Sequence, residues 1–385
     1  MVHNYYKIPG GEDSVVANEK KMLEENGHQV VFYSRHNSEM DSMGKLQKLL
    51  IPINTIFNFK AFKDIVKIIK TEKIDVVHVH NTLTLISPAV YYAALYCKVP
   101  VVQTVHNFRM LCPGATFYRD GNICEDCVEK GLKCALKHKC YRGSLLQTLL
   151  CVINTKIHRF TGVYKKINYI CLTGFTKEKI LMLNKGKRKV IDENKIFIKP
   201  NFTFESNYSR LEEGDYYLFI GRVEQIKGLD LLLDAFALLP DKKLRIAGTG
   251  TEMEHYKQRA TPNVEFLGFL NREELSLQLT KAKAVIVPSQ WYETFGMIIA
   301  EAYSAHCPVI VGDIGNIASL VEDGVTGVKF KYNDSTALID AISRFENCEP
   351  MGEKGFEKFK NEYSEKVNYK KLKNVYEQIE EYSKL

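Results

Sequence analysis

Short apolar runs alternate with segments of helical period over most of the chain. VVHVH (76–80), VVQTV (101–105) and YICLT (169–173) read as buried strands in the first half. YYLFIG (216–221), LRIAG (244–248), VEFLG (264–268), AVIVPS (284–289) and PVIVG (308–312) read the same way in the second. Between them, LDLLLDAFALL (229–239), REELSLQLTKA (272–282) and STALIDAISRF (335–345) repeat apolar residues at helical spacing. Continuous apolar strands separated by helices predict parallel sheets covered on both faces. Two such series in 385 residues predict an α/β protein of two doubly wound, Rossmann-like domains.

The polar stretch 198–215, which contains Pro200, is the expected boundary. It separates an N-terminal domain (1–200) from a C-terminal one (201–360). Periodic Phe356, Phe359, Tyr363, Val367, Leu372 and Tyr376 predict amphipathic helices toward the end of the chain. Residues 107–142 break the strand–helix rhythm and read as an insertion in the first domain, with a hairpin turning at Asp120-Gly121.

Charge divides the chain in the same place. The formal net charge is +7, and residues 1–200 carry +14 against −7 for the remainder. Two basic stretches stand out: Lys130, Lys133, Lys137, Lys139 and Arg142, then Lys185, Lys187, Arg188 and Lys189. They predict an anionic partner. The basic stretches have no stacking aromatics apart from Tyr141 and no binding module, so a membrane surface is expected rather than nucleic acid. No apolar run reaches the ~18 residues of a spanning helix, Leu145 to Ile153 coming nearest. The N-terminus lacks a signal-peptide core. The expected location is cytoplasmic, peripheral on the inner face of the cell membrane.

Five of ten cysteines crowd into the insertion. Cys112, Cys124, Cys127 and Cys140 are candidate ligands for structural zinc, with Cys134 as alternate, because a C-x-x-C knuckle on a hairpin suits a tetrahedral thiolate site. The other cysteines, Cys348 among them, lie in apolar segments and read as small core residues.

Two segments of the second half carry the chemistry. In GRVEQIKG (221–228), Gly221, Arg222 and Lys227 follow a strand's carboxyl end, where open α/β sheets bind ligands, and two cations there suit a diphosphate. In VPSQWYETFGMIIAEA (287–302), a helix is expected to start near Glu293 to Gly296. Its first amides, at Gly296, Met297 and Ile298, would form an anion site. Glu293 and Glu301, eight residues apart, would lie on one side of a continuous helix, with Glu301 able to accept from a vicinal diol. His80 and His106 each stand beside an Asn at a strand's end.

Read together, GR-x4-KG and E-x7-E resemble the retaining, nucleotide-sugar-dependent glycosyltransferases of family 4. GGED (10–13), HVHN (78–81), TVHNFR (104–109), KPN (199–201), AGTG (247–250), FLGFL (266–270) and GVTGVKF (324–330) extend the resemblance over nearly the whole chain. It implies the GT-B fold, with a last helix (361–385) packing back on the first domain. It further implies that Arg222 and Lys227 hold the donor diphosphate and stabilise the leaving nucleotide. Glu293 would bond the transferred sugar, Phe295 to Ile298 would present amides, Glu301 would bind the ribose, and Gly268 would meet the base. Gly10 and Gly11 would approach the diphosphate, His106 would sit over the donor sugar, and His80 and Asn81 would lie nearer the acceptor.

The implied reaction is same-face transfer of a sugar from a nucleotide diphosphate carrier, UDP expected, to a lipid-linked glycan precursor of capsule, exopolysaccharide or O-antigen. No DxD-type metal motif is present, so no catalytic cofactor is expected. The alternatives are a catalytically silent GT-B partner subunit or a sugar-nucleotide epimerase. Three departures from the family pattern accompany the resemblance. The first strand begins unusually close to Met1, Ser319 stands where the family has an acid, and the cysteine insertion is found only in a subset of polysaccharide-assembly enzymes.

Overall fold

Val, Ile and Tyr, which suit a pleated buried surface, fill the strands of the computed structural model. It describes every residue except 9, 187, 209–213, 347–350 and 385. Lys187, Cys348 and part of the expected linker lie outside the described residues. The chain divides into two compact units.

The first unit comprises residues 1–117, 124–200 and 368–385. Its sheet contains β1 (Val2–Tyr5), β2 (Tyr33–His36), β3 (Val77–Asn81), β4 (Val101–Thr104), β7 (Asn168–Cys171) and β8 (Ile196–Ile198), with β5 (Tyr118–Arg119) and β6 (Asn122–Ile123) intervening in sequence. The spatial order is β2-β1-β3-β4-β7-β8, all parallel. The order reverses between β1 and β3, which opens a crevice at the carboxyl ends of those strands.

The second unit comprises residues 118–123 and 201–367. Its strands are β9 (Tyr216–Ile220), β10 (Lys243–Ala247), β11 (Val264–Gly268), β12 (Val285–Val287), β13 (Val309–Gly312) and β14 (Gly327–Phe330), in the order β11-β10-β9-β12-β13-β14. This is the doubly wound dinucleotide-fold order, with the reversal between β9 and β12. Tyr217, Leu232, Phe236, Ile246, Ile286, Ile310 and Val328 form its core.

Two expected boundaries shift. The hairpin turns at Asp120-Gly121 as anticipated, both residues having positive φ, but β5 and β6 belong to the second unit rather than the first. Tyr118 donates its hydroxyl proton to Gln290 Oε1 there, at 3.1 Å. The return to the first unit comes at Asn368 rather than near 361, because Phe359 and Tyr363 are buried in the second unit, where Phe295 meets the Tyr363 ring. Helix Glu365–Lys384 then carries Leu372, Val375 and Ile379 into the first core. Among the described residues, no helix is long and apolar enough to cross a membrane.

Candidate functional site

In the second unit, the predicted cations follow β9 and the predicted acids follow β12, on either side of the strand-order reversal. Gly228 makes the approach of these two loops possible. Its φ is +81°, and a β-carbon there would stand 2.0 Å from the Pro288 carbonyl oxygen. Lys227, one residue before it, donates to Glu293 Oε1 at 2.5 Å. Ser289 Oγ (3.0 Å) and Trp291 Nε1 (2.9 Å) donate to the same oxygen, and the Lys227 ammonium lies 5.4 Å from the Trp291 ring centre. Burial alone would push the Glu293 carboxyl up. The Lys227 charge and these three donors outweigh it, so the group is held below the ordinary glutamate value.

Glu293 is not on the helix, which corrects the expectation that it shares a helical face with Glu301. The helix is Met297–Ser304, entered through Gly296 at φ +95°. That left-handed residue breaks the helical path, so Glu293 sits in the turn, anchored by its own carbonyl, which accepts from the buried amide of Asn316. Ile299 N–H already bonds the Gly296 carbonyl, and the amides of Met297 and Ile298 precede it at the helix start. Phe295 is buried against Tyr363. Glu301 lies within the helix, its carboxyl raised by burial with Arg272 opposing the shift. Arg222 does not join Lys227: it is half-exposed and pairs with Glu224 at 2.8 Å. The Gly268 carbonyl accepts from Gly248 N–H at 2.7 Å, tying the end of β11 to the loop after β10. Ser289 and Asn316 were not singled out in the sequence. Only their hydrogen bonds to Glu293 reveal them.

In the first unit, the candidates gather at the reversal between β1 and β3. Gly10 caps helix Gly11–Glu25, and a β-carbon at Gly10 or Gly11 would meet no atom within 4 Å, so the helix start is open. Asp13 turns back to accept from Gly10 N–H (2.9 Å) and bonds the His3 ring (2.8 Å). Asn81 braces the crevice. Its amide donates to the Asn4 carbonyl (2.7 Å) and to Glu12 (3.2 Å), and its oxygen accepts from Leu83 N–H (3.1 Å). Burial, with the Asp13 charge adding to it, pushes the Glu12 carboxyl up to about 8. His80 and His106 are both buried and hydrogen-bonded to each other, Nδ1 to Nε2 at 2.9 Å. Both line a cavity that also takes in Asn81, Arg109 and Asn154.

Cys112, Cys134 and Cys140 lie near Cys127, without forming a cage among the described residues. Burial pushes the Cys127 thiol up to about 12, and the thiols of Cys112, Cys140 and Cys134 add to the shift. Cys127 packs with Cys134 and Cys140. Among the described residues, the groups of three ligating side chains with donor atoms within 4.8 Å are Glu19–His78–His80 and His3–Glu12–Asp13, and the cysteines do not form one.

Residues 202–365 match the family of glycosyl transferases group 1, and residues 9–120 match glycosyltransferase family 4. An uncharacterized 42.6 kDa protein in the cps region of Klebsiella pneumoniae is 27% identical over 79% of this chain and 75% of its own length. A glycosyltransferase from Rickettsia africae superposes with a TM-score of 0.67 at 17% identity, covering 98% of this chain and 97% of that one. The Anabaena protein HepE, solved with UDP and glucose, superposes with a TM-score of 0.64 at 15% identity, covering 97% and 98%.

Proposed function

Because this chain belongs to glycosyltransferase family 4 and has the GT-B fold, we propose that it moves a sugar from a UDP-type donor to a lipid-linked glycan with retention of configuration. The observation that carries the reading is the Lys227–Glu293 pair at the strand-order reversal, beside the start of helix Met297–Ser304. Breaking a sugar–phosphate bond builds negative charge on the departing diphosphate and positive charge at the anomeric carbon. Lys227, Arg222 and the Met297 and Ile298 amides would stabilise the first. Glu293, kept ionised, would bond the sugar hydroxyls, and Glu301 the ribose. Phe295 and Gly296 would shape the approach to those amides, and Gly268 would meet the base. Gly10 and Gly11 would face the diphosphate, and His106 the donor sugar, with His80 and Asn81 nearer the acceptor. The departing phosphate would take the acceptor's proton on the same face, with no metal needed.

HepE binds UDP and glucose, and the Klebsiella relative is encoded in a cps region, which supports a nucleotide-sugar donor and a polysaccharide product. A lipid-linked acceptor would require access to a membrane surface, and an exposed face of the first unit supports that. Helix Lys45–Ile56 packs beside helix Leu145–Thr161, and together they expose Leu46, Leu49, Ile53, Leu146 and Phe160. The basic stretch ending at Arg142 leads into the second helix, and Arg188 lies 5.9 Å from the Phe160 ring at its far end. Apolar side chains framed by cations suit an anionic lipid interface. A panel of nucleotide sugars screened by thermal shift tests the donor. The correct one at ~100 times its Kd adds ~2.7 kcal/mol, and no stabilisation by any of them would defeat the proposal.

A further inference from the structure

Four imidazoles are buried together in the first unit: His3 on β1, His78 and His80 on β3, and His106 just beyond β4. His80 stacks on His78 with ring centres 4.3 Å apart and on His106 at 5.2 Å. Helix Gly11–Glu25 presents Glu19 to this stack, with its side chain fully enclosed. A buried carboxylate needs a partner, and Lys199 supplies it at 2.5 Å. The same ammonium reaches Asn368 Oδ1 (2.9 Å) and the Pro200 carbonyl (3.4 Å), so its three protons are all engaged. Lys199 is therefore the cation with which the buried Glu19 is paired.

The second carboxylate oxygen, Glu19 Oε2, has no hydrogen-bond partner of good geometry, and neither has His80 Nε2. These two atoms face each other at 3.4 Å. His78 is not the competitor, because its nitrogens are taken by Thr104 Oγ1 and the Tyr376 hydroxyl, each at 2.7 Å.

The proton order along this row follows from donor and acceptor counting. A carboxylate paired with an ammonium only accepts, so the His80 proton belongs on Nε2, facing Glu19. A neutral imidazole carries one proton, which leaves His80 Nδ1 bare. The 2.9 Å bond from His80 Nδ1 to His106 Nε2 then needs its proton from His106. His106 is thus the Nε2–H tautomer, and its Nδ1 edge is an acceptor. We propose that Glu19, held by Lys199 and acting through His80, is a positioning residue that fixes the tautomer of His106. Burial keeps both rings neutral: it pushes His106 down to about 3, against the opposing Glu19 charge, and His80 well below the ordinary histidine value. The value of this tautomer for transfer rests on the reading of His106 given under Proposed function. The tautomer itself does not.

Long-range ¹H–¹⁵N correlation spectra of the labelled full chain at neutral pH, without substrate, test the inference. Spectra of His80→Gln and His106→Gln assign the two rings. The wild type is expected to show both as Nε2–H. In Glu19→Gln, Lys199 keeps the amide oxygen and the NH₂ group turns to His80. Both rings should then change to Nδ1–H. A wild-type His106 carrying its proton on Nδ1 would overturn the proposal, as would a folded Glu19→Gln with unchanged tautomers. If Glu19→Gln does not fold, the wild-type spectrum decides alone. Unchanged transfer activity in a Glu19→Gln whose rings have switched tautomer would count instead against the role given to His106.

Discussion

Replacing Lys227 with Met removes the cation paired with Glu293 and leaves the carboxylate with the neutral donors Ser289 and Trp291. Removing one partner of a buried ion pair costs ~3–5 kcal/mol. Here the side chains keep 19% and 16% of their exposure and two hydrogen bonds remain, so we expect the lower figure of ~2–3 kcal/mol at neutral pH. For a unit of this size that is a fall in melting temperature of ~4–12 °C. The pH dependence follows from the sign of the shift. In the wild type the Glu293 pKa is depressed, so its stabilisation is present above the ordinary glutamate value of ~4.3 and is lost as pH falls through the lower folded value. In Lys227→Met, burial dominates and raises the folded pKa. The penalty is then full above that raised value and disappears as pH falls toward ~4.3. Adding Glu293→Gln removes the unpaired charge and should recover most of the loss, although donor binding stays impaired. Thermal melts of the three proteins between pH 5 and 8 make the measurement. A single variant as stable as the wild type at pH 7.5, or a double variant no more stable than the single, would refute the pairing argument.

Glu301→Ala and Arg222→Ala should each weaken UDP binding by ~1.5–3 kcal/mol with the fold intact, and unchanged calorimetric affinity in both would remove them from the site. Glu12→Gln should stabilise the protein at pH 7.5 and leave it unchanged near pH 4. The raised Glu12 pKa makes the native state lose stability as pH climbs from ~4.3 toward about 8, and melts at the two pH values check this. Flotation with anionic liposomes should capture the protein at low salt. Leu49→Glu with Leu146→Glu should abolish capture, and binding that ignores both lipid charge and these substitutions would dismiss the membrane face. Zinc at Cys112, Cys124, Cys127 and Cys140 predicts about one metal per chain after purification without chelators, and much less would count against it.

The strands most legible in the sequence were those with continuous apolar runs, β3, β4, β7, β9, β10, β12 and β13, because both faces of a parallel sheet are buried, and β11 was legible too although it lies at the sheet edge and is only partly buried. β1 was harder to read as a central strand, since its VHNY is half polar. His3 and Asn4 are buried there, with Asp13 bonding His3 Nε2 and Asn37 Oδ1 accepting from the Asn4 amide. Lys227 and Glu293 could be read from spacing. The path of the chain between Glu293 and Glu301 could not, since it depends on a left-handed Gly296. Glu19 and Lys199 lie 180 positions apart and look like ordinary surface charges until the fold buries them as a pair. The apolar run 145–153 is too short to span a bilayer, and the sequence alone does not mark it as a surface. That Leu146 and Leu49 lie exposed on neighbouring helices is a property of how the two helices pack.

Slow transfer to water supplies a test that needs no acceptor. The protein is incubated with the α-linked nucleotide sugar that stabilises it most, and the released sugar is followed by proton NMR before it mutarotates. The account predicts that nucleoside diphosphate and the α-anomer appear together, and that Lys227→Met loses both. Tight donor binding without cleavage, or the β-anomer as first product, would contradict it.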